Sequence, residues 1–340
     1  MERDLHWVGW LWLVVVGFAA VALWRSAVLD IPFRDPGGRW LTGKLLATVE
    51  AFAVLVVIDA IWRSPRGARR PRNVAHTLRQ RWPWRRLLLV ASGLLAYHAV
   101  YFCYRQLKSW DVFNANQDEL LDRADRWLFG GHSPAVLLQD LLGRHDATYV
   151  LLVIYESFTW VVLVSFVASV VFVDRLRDGF VCLASLIWVW ILGVASYYLI
   201  PSLGPFHVRP QDFADLPRTL VTEHQELYMD QRAYLLAHPE AADAYAQVSA
   251  FASLHVAVLS VIVLMAWYYG LRRVAVALAV YLLATMVATV YLGWHFVLDD
   301  IAGVLIAVAA VALGRLTIYP RGWQAPPGLP IEAQSGRVTT

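Results

Sequence analysis

Cysteine is nearly missing from this chain: 340 residues hold two, Cys103 and Cys182. A disulfide needs Cα atoms within about 7 Å of each other, and these two fall near opposite membrane faces in separate apolar runs, so no bridge is expected. Charge is sparse as well. Acidic and basic residues make up 16% of the sequence and leave a net charge of +3, which gives no footprint for nucleic acid as a partner. The first apolar run lacks a small-residue cleavage site after it, so it reads as a retained span rather than a removed signal. No internal repeat is visible, and related halves are common in transporters.

What is abundant is hydrophobicity: 59% of residues, 16 tryptophans and a mean hydropathy of +0.51. Apolar runs of about 17 to 25 residues can cross a bilayer as helices. Eight recur with short connections, over 7–24, 41–62, 87–104, 148–173, 180–200, 251–269, 274–294 and 296–318. The expected fold class is all-α, a polytopic membrane protein of about eight transmembrane helices. Tryptophans gather at run ends, as in "WVGWLW", "RWPWRR" and "GWHF", where interfacial anchoring favours them.

Residues 63–86 hold nine arginines and no acid, which assigns them to the cytoplasm because cytoplasmic loops collect Lys and Arg; a patch for anionic lipid or nucleic acid is the less favoured reading of the same run. Counting spans from there puts 174–178, 270–273 and both termini on the same side. The long loops 105–147 and 201–250 then lie outside, in a multi-pass protein of the cell membrane.

Both outer loops are patterned. In "NQDELLDRADRWLFGGHSPAVLLQDLLG", Leu120, Leu121, Ala124, Trp127 and Leu128 share one helical face opposite Asp118, Asp122, Asp125 and Arg126. A second helix opens with Ser133 as N-cap and Pro134 at its first position. The pair reads as extracytoplasmic amphipathic helices lying on the outer leaflet. The second loop runs from the Pro/Gly-rich "PSLGPFHVRPQDF" into an acidic, tyrosine-bearing helical stretch over 220–247, placed as a roof.

The stretch "VYLGWHFVLDDIAGVLIA" raises the chemical question, because an ionisable residue inside a membrane is a functional hypothesis by default. His295 and Asp299 stand four apart and share one helical face. A carboxylate there can accept from one imidazole nitrogen, fix the tautomer, and leave the other nitrogen basic or nucleophilic. Ser253 and His255, in "SAFASLHVAVLS", and the loop "IPSLGPFHVRP" fall on the same leaflet. Candidate phosphate-binding cations are Arg209 in that loop and Arg105 at the outer end of the third run, helped by amides at the start of the helix near His295. His98 and Glu156 sit at similar depths and read as a structural pair, His207 as a loop histidine, and Asp300 as a second choice of orienting acid.

With these residues in view, the chain resembles the type 2 phosphatidic acid phosphatase superfamily. Its second motif, Pro-Ser-x-His, matches "ASLH", and its third, Ser-Arg then five residues, His, three residues and Asp, matches "ATVYLGWHFVLD" in spacing. The resemblance implies His295 as nucleophile on phosphorus, Asp299 as the acid orienting it, His255 as the proton donor to the leaving oxygen, and Ser253 as a phosphoryl ligand, through a phosphohistidine intermediate with no cofactor. Ala252 replaces the motif proline, Thr289 the arginine of the third motif, and Ser202 the lysine of the first, which keeps Arg209 and Pro210. The lost arginine and the Pro-rich stretch after a span resemble the inositol phosphorylceramide synthase branch, although Trp294 stands where that branch often has a further histidine. The resemblance covers residues 87–318 as a six-helix phosphatase/phosphotransferase-like core. Residues 1–86 add two helices and the basic loop, and 319–340 read as a disordered cytoplasmic tail.

Three classes of function are consistent with the residues. The first and favoured one is a lipid phosphatase or head-group phosphotransferase, with a membrane lipid phosphate as substrate and water or a hydroxyl acceptor as second reactant. The second is a metal-dependent membrane hydrolase or oxygenase with His255, His295 and Asp299 as ligands. The third is a non-enzymatic transporter or scaffold. Under the first, His295→Ala abolishes phosphate release from a lipid phosphate; under the third, any phosphate release by the purified protein is untouched by that change.

Overall fold

The computed structural model describes residues 5–64 and 70–320. The expected tail lies outside the described residues from position 321 on, as do Arg66 and Arg69 of the basic segment. Among the described residues there is no strand, and the chain order is α1 (His6–Leu29), α2 (Arg39–Arg63), α3 (Pro71–Arg81), α4 (Trp84–Trp110), α5 (Asp118–Leu128), α6 (Pro134–Leu142), α7 (Asp146–Val171), α8 (Leu176–Leu199), α9 (Pro205–Val208), α10 (Leu220–Ala237), α11 (Leu254–Tyr268), α12 (Arg272–Tyr291) and α13 (Val297–Ile318).

Seven of these, α1, α2, α4, α7, α8, α12 and α13, are long and apolar enough to cross a membrane. The eighth apolar run behaves differently. Its helix, α11, has 15 residues, about 22 Å at 1.5 Å per residue, less than the roughly 30 Å of a hydrocarbon core. The missing length is non-helical backbone before Leu254, buried over 244–250, where irregular chain at depth is tolerated because protein surrounds it.

α8 is the hub. In its most apolar stretch 78% of residues are buried, against 22% in α2 and α7, which face outward. α13 lies closest to it, and Gly314 allows that approach: a Cβ there would stand 2.5 Å from the Ser185 amide. Gly303 does the same between α13 and α11, where a Cβ would meet the Ser253 carbonyl at 2.6 Å. The N-terminal helix α1 is part of the same core, with Trp7 set edge-on against Phe180 of α8 at 4.7 Å. Cys103 and Cys182 are both buried and not joined.

The end of the bundle opposite the two histidines carries an ion-pair cluster. Asp59 of α2 is 2% exposed; it takes Arg63 at 2.7 Å and also pairs with Arg81. The same arginines close the C-terminus of α7, where carbonyls have no helical partners. Arg63 donates to the Phe172 carbonyl at 2.9 Å, Arg81 to Val173 at 2.9 Å, and Arg86 to Val173 at 2.7 Å. The basic segment therefore fastens the two-helix N-terminal portion to α7. Removing one member of a buried pair leaves the other charge uncompensated, at about 3–5 kcal/mol. Asp59→Ala is expected to lower the thermal unfolding midpoint of the detergent-solubilised protein by several degrees while leaving the far end of the bundle intact, and an unchanged midpoint would refute that role.

Candidate active site

α12 ends in a tight reversal. Gly293 has φ +80°, the left-handed region open to glycine, and the Trp294 and His295 amides both donate back to the Thr289 carbonyl, at 3.0 and 3.2 Å. The turn delivers His295 to the mouth of α13. There Asp299 Oδ2 accepts from the Phe296 amide at 3.0 Å, capping the helix, and lies 3.2 Å from His295 Nδ1. Asp299 is fully buried and His295 is 6% exposed. The ring also sits beside the Ala250 carbonyl.

His255, in the first turn of α11, faces the same space. The two imidazole centroids are 6.1 Å apart. Tyr155 stacks on His255 at 4.5 Å and Phe158 packs against it at 4.3 Å, while Trp294 lies parallel to Tyr155 at 5.9 Å. The pocket between the imidazoles has a volume of about 270 Å³ and is lined also by Lys44, Arg105, Lys108 and Glu156. Arg105 donates to Gln247 Oε1 at 2.8 Å, which joins α4 to the roof.

Several expectations need correction. Arg209, expected to hold phosphate, does not reach this pocket: its guanidinium is held 2.9 Å from Asp122 and 3.1 Å from Glu119 on α5. Ser253 is fully buried as the N-cap residue of α11, packed under Gly303, and is not on the pocket wall. His98 and Glu156 do not pair: His98 Nε2 lies 3.0 Å from Thr48 Oγ1 on α2, and Glu156 lies 3.7 Å from His224 of α10. His207 is exposed on the short helix α9. Asp300 accepts from Thr289 Oγ1 at 3.1 Å rather than touching His295. Among the described residues no group of three His, Cys, Asp or Glu is disposed to hold a metal ion.

The positions where the chain departs from the family motifs have become structural. Ser202 Oγ accepts from the Phe251 amide at 2.9 Å and its carbonyl from Ala250 at 2.8 Å; Thr289 holds Asp300. Lys108, by contrast, escaped the sequence reading. It lies three residues after Arg105, on the same side of α4, and that spacing was the available signal. It lines the same pocket as both imidazoles.

The acidic face of α5 also points inward. Asp118 Oδ1 accepts from the Leu203 and Gly204 amides at 2.8 and 2.9 Å, and Asp125 from Val297 and Leu298 at 2.7 and 3.1 Å. Burial pushes both carboxyls above the ordinary carboxylate range, and the amide donors oppose that shift. The apolar side, Leu120, Trp127 and Leu128, is exposed. Thus α5 clamps the two loops that build the site. Gly204 closes the clamp, since a Cβ there would stand 2.5 Å from the Trp294 carbonyl.

A sequence profile of the PAP2 superfamily matches residues 119–313, more than half of the chain. The chain belongs to the PAP2 superfamily. Membership brings phosphatase-type chemistry on lipid phosphates, in an all-helical membrane protein. No curated protein and no solved structure matches this chain. In this PAP2 protein α1 to α4 precede the matched segment, so Arg105 and Lys108 come from outside it. Asp125→Ala removes the acceptor for two amides of the first turn of α13; a cap of this kind contributes about 0.5–2 kcal/mol. Expected is a lower melting point in detergent together with loss of turnover, and a smaller loss for Asp125→Asn, which keeps one acceptor; equal behaviour of the two variants would contradict the clamp.

Proposed function

We propose that this protein cleaves or transfers the phosphoryl-containing head group of a membrane lipid phosphate at its extracytoplasmic face, through a phosphohistidine on His295. The observation that carries the reading is the pair of imidazoles 6.1 Å apart across one pocket, with His295 Nδ1 against Asp299. Nδ1–H donating to that carboxylate is the tautomer that leaves a lone pair on Nε2. Nε2 attacks phosphorus, the bond from phosphorus to the lipid oxygen breaks, and His255 donates the proton that the leaving oxygen takes up. The oxygen of water or of a hydroxyl acceptor then attacks phosphorus, forming the new O–P bond as the N–P bond breaks, giving its proton to His255 and freeing His295.

Charge developing on the phosphoryl oxygens needs fixed cations. With Ser202 and Thr289 where the motifs have lysine and arginine, Arg105 and Lys108 of α4 take that role. Trp294, where the inositol phosphorylceramide synthase branch often has histidine, forms an aromatic wall with Tyr155, Phe206 and Tyr228. The core of residues 87–318 is the catalytic unit in this reading, and 1–86 an addition to it.

The roof supports transfer over hydrolysis. The backbone of 244–250 is buried and pinned to the end of α4: the Tyr245 hydroxyl donates to the Arg105 carbonyl at 2.8 Å, and Ala246 N donates to Ser109 Oγ at 3.0 Å. A cover so fixed limits water at the phosphohistidine. Incubation with labelled lipid phosphates, with and without hydroxyl acceptors, should trap the label on His295. His295→Ala should give no labelled protein, and His255→Ala should slow turnover by a factor of about a hundred to ten thousand. Label on another residue would sink the mechanism, and full-rate release of inorganic phosphate without acceptor would sink the preference for transfer.

A further inference from the structure

Beside the histidine pocket lies a second cavity of about 810 Å³, walled by α2 (Gly43, Ala47, Thr48), α4 (Tyr97) and α7 (Leu163, Phe166). Six residues, Lys44, Tyr101, Phe158, Thr159, Trp190 and Gln247, line both spaces, so the two adjoin. The histidine pocket alone, at about 270 Å³, falls below the roughly 300–1,000 Å³ of sites that enclose a whole small molecule. It has room for a head group, and a lipid chain must lie elsewhere. Most of the larger cavity's wall is apolar and aromatic, with His98, Gln231 and Asp243 among its polar groups, and Trp160 at its rim is 67% exposed on the outward face of α7, toward the bilayer. The other large groove near the site, on the roof, is lined by Arg218, Glu226 and Asp230 and does not suit a hydrocarbon.

Lysine use points to the same junction. The chain carries its positive charge on 27 arginines and has two lysines. Both of them, Lys44 and Lys108, line the histidine pocket. No carboxylate among the described residues comes within ion-pair distance of Lys44, which sits in the spanning helix α2. Lys44 stands one turn inside the end of that span and lines the pocket that holds the two imidazoles, where an ammonium can meet an anion.

We propose that α2, which lies outside the segment matching the family, completes the substrate site: the cavity behind it holds the hydrocarbon chain of the lipid phosphate, and Lys44 binds the anionic group where chain meets head. This rests on the reading of the histidine pocket as the phosphoryl-transfer site. It assigns the first helices a part in substrate choice, favouring a long-chain lipid phosphate drawn sideways from the bilayer over a water-soluble phosphate ester.

The test uses the full chain in lipid nanodiscs and a lipid phosphate bearing a photoactivatable diazirine in its chain. Crosslinks should map to residues 43–48 and 158–166. Gly43→Phe, whose added side chain starts into open space, and Ala47→Trp should each cut the crosslink yield. Each should also lower kcat/KM for the long-chain substrate about tenfold relative to a short-chain ester with the same head group. Lys44→Gln should raise KM more than it lowers kcat, with Lys44→Arg restoring most of the affinity. Crosslinks confined to other helices, or a long-to-short preference unmoved by both cavity-filling variants, would overturn the proposal. If the wild-type protein crosslinks at α2 but never labels His295, the phosphoryl-transfer reading fails and the chain site stands; label on His295 with no crosslink at α2 has the opposite meaning.

Discussion

One buried carboxylate oxygen organises the site. Asp299 Oδ2 accepts from the Phe296 amide and meets His295 Nδ1, so the act that starts α13 is the act that orients the imidazole. A helix N-terminus has amides without partners and favours negative charge. An aspartate at its third position satisfies one of them and gains a fixed place. The histidine just ahead of the helix is then held in a defined direction, with no flexible element between acid and ring.

That arrangement depends on backbone which must not drift, and α5 is what prevents it. Its carboxylates take four amides, two from the loop after α8 and two from the first turn of α13. An acidic helix face turned toward the protein, with tryptophan and leucines facing out, reverses the arrangement of a soluble surface helix. It is consistent physically where the outer surroundings are lipid and the inner ones are unsatisfied amides.

Charge is divided between the two ends of the bundle. At one end arginines and Asp59 close the terminus of α7 and tie α2 and α3 to it. At the other, the cations stand on α4 and α2, while Ser202 and Thr289 have passed into hydrogen bonds that hold the loops. The pocket that holds the two imidazoles is therefore lined by cations from the neighbouring helices, Lys44 of α2 and Arg105 and Lys108 of α4, rather than by cations from the motif loops.

Much of the fold was legible from the chain alone, because a bilayer imposes length and apolarity on every span. Each of the eight apolar runs corresponds to a helix, and the short α11 departs because its start is ordered by Ser202 and Asp299 rather than by its own hydropathy. His295 and Asp299 were legible as neighbours from their spacing, but not by the expected route: His295 stands in the turn ahead of α13 rather than on a helical face, and meets Asp299 because that carboxylate caps the helix. The partnership of His98 with Thr48 instead of Glu156, the capture of Arg209 by α5, the burial of Ser253 and the presence of Lys44 and Lys108 at one pocket were not. These depend on how helices rotate about their axes and which of them become neighbours, and packing between distant segments sets both. Sequence by itself determined the spans and the closeness of His295 to Asp299, local consequences of hydropathy and spacing. Only the tertiary structure decided which charges converge around the imidazoles.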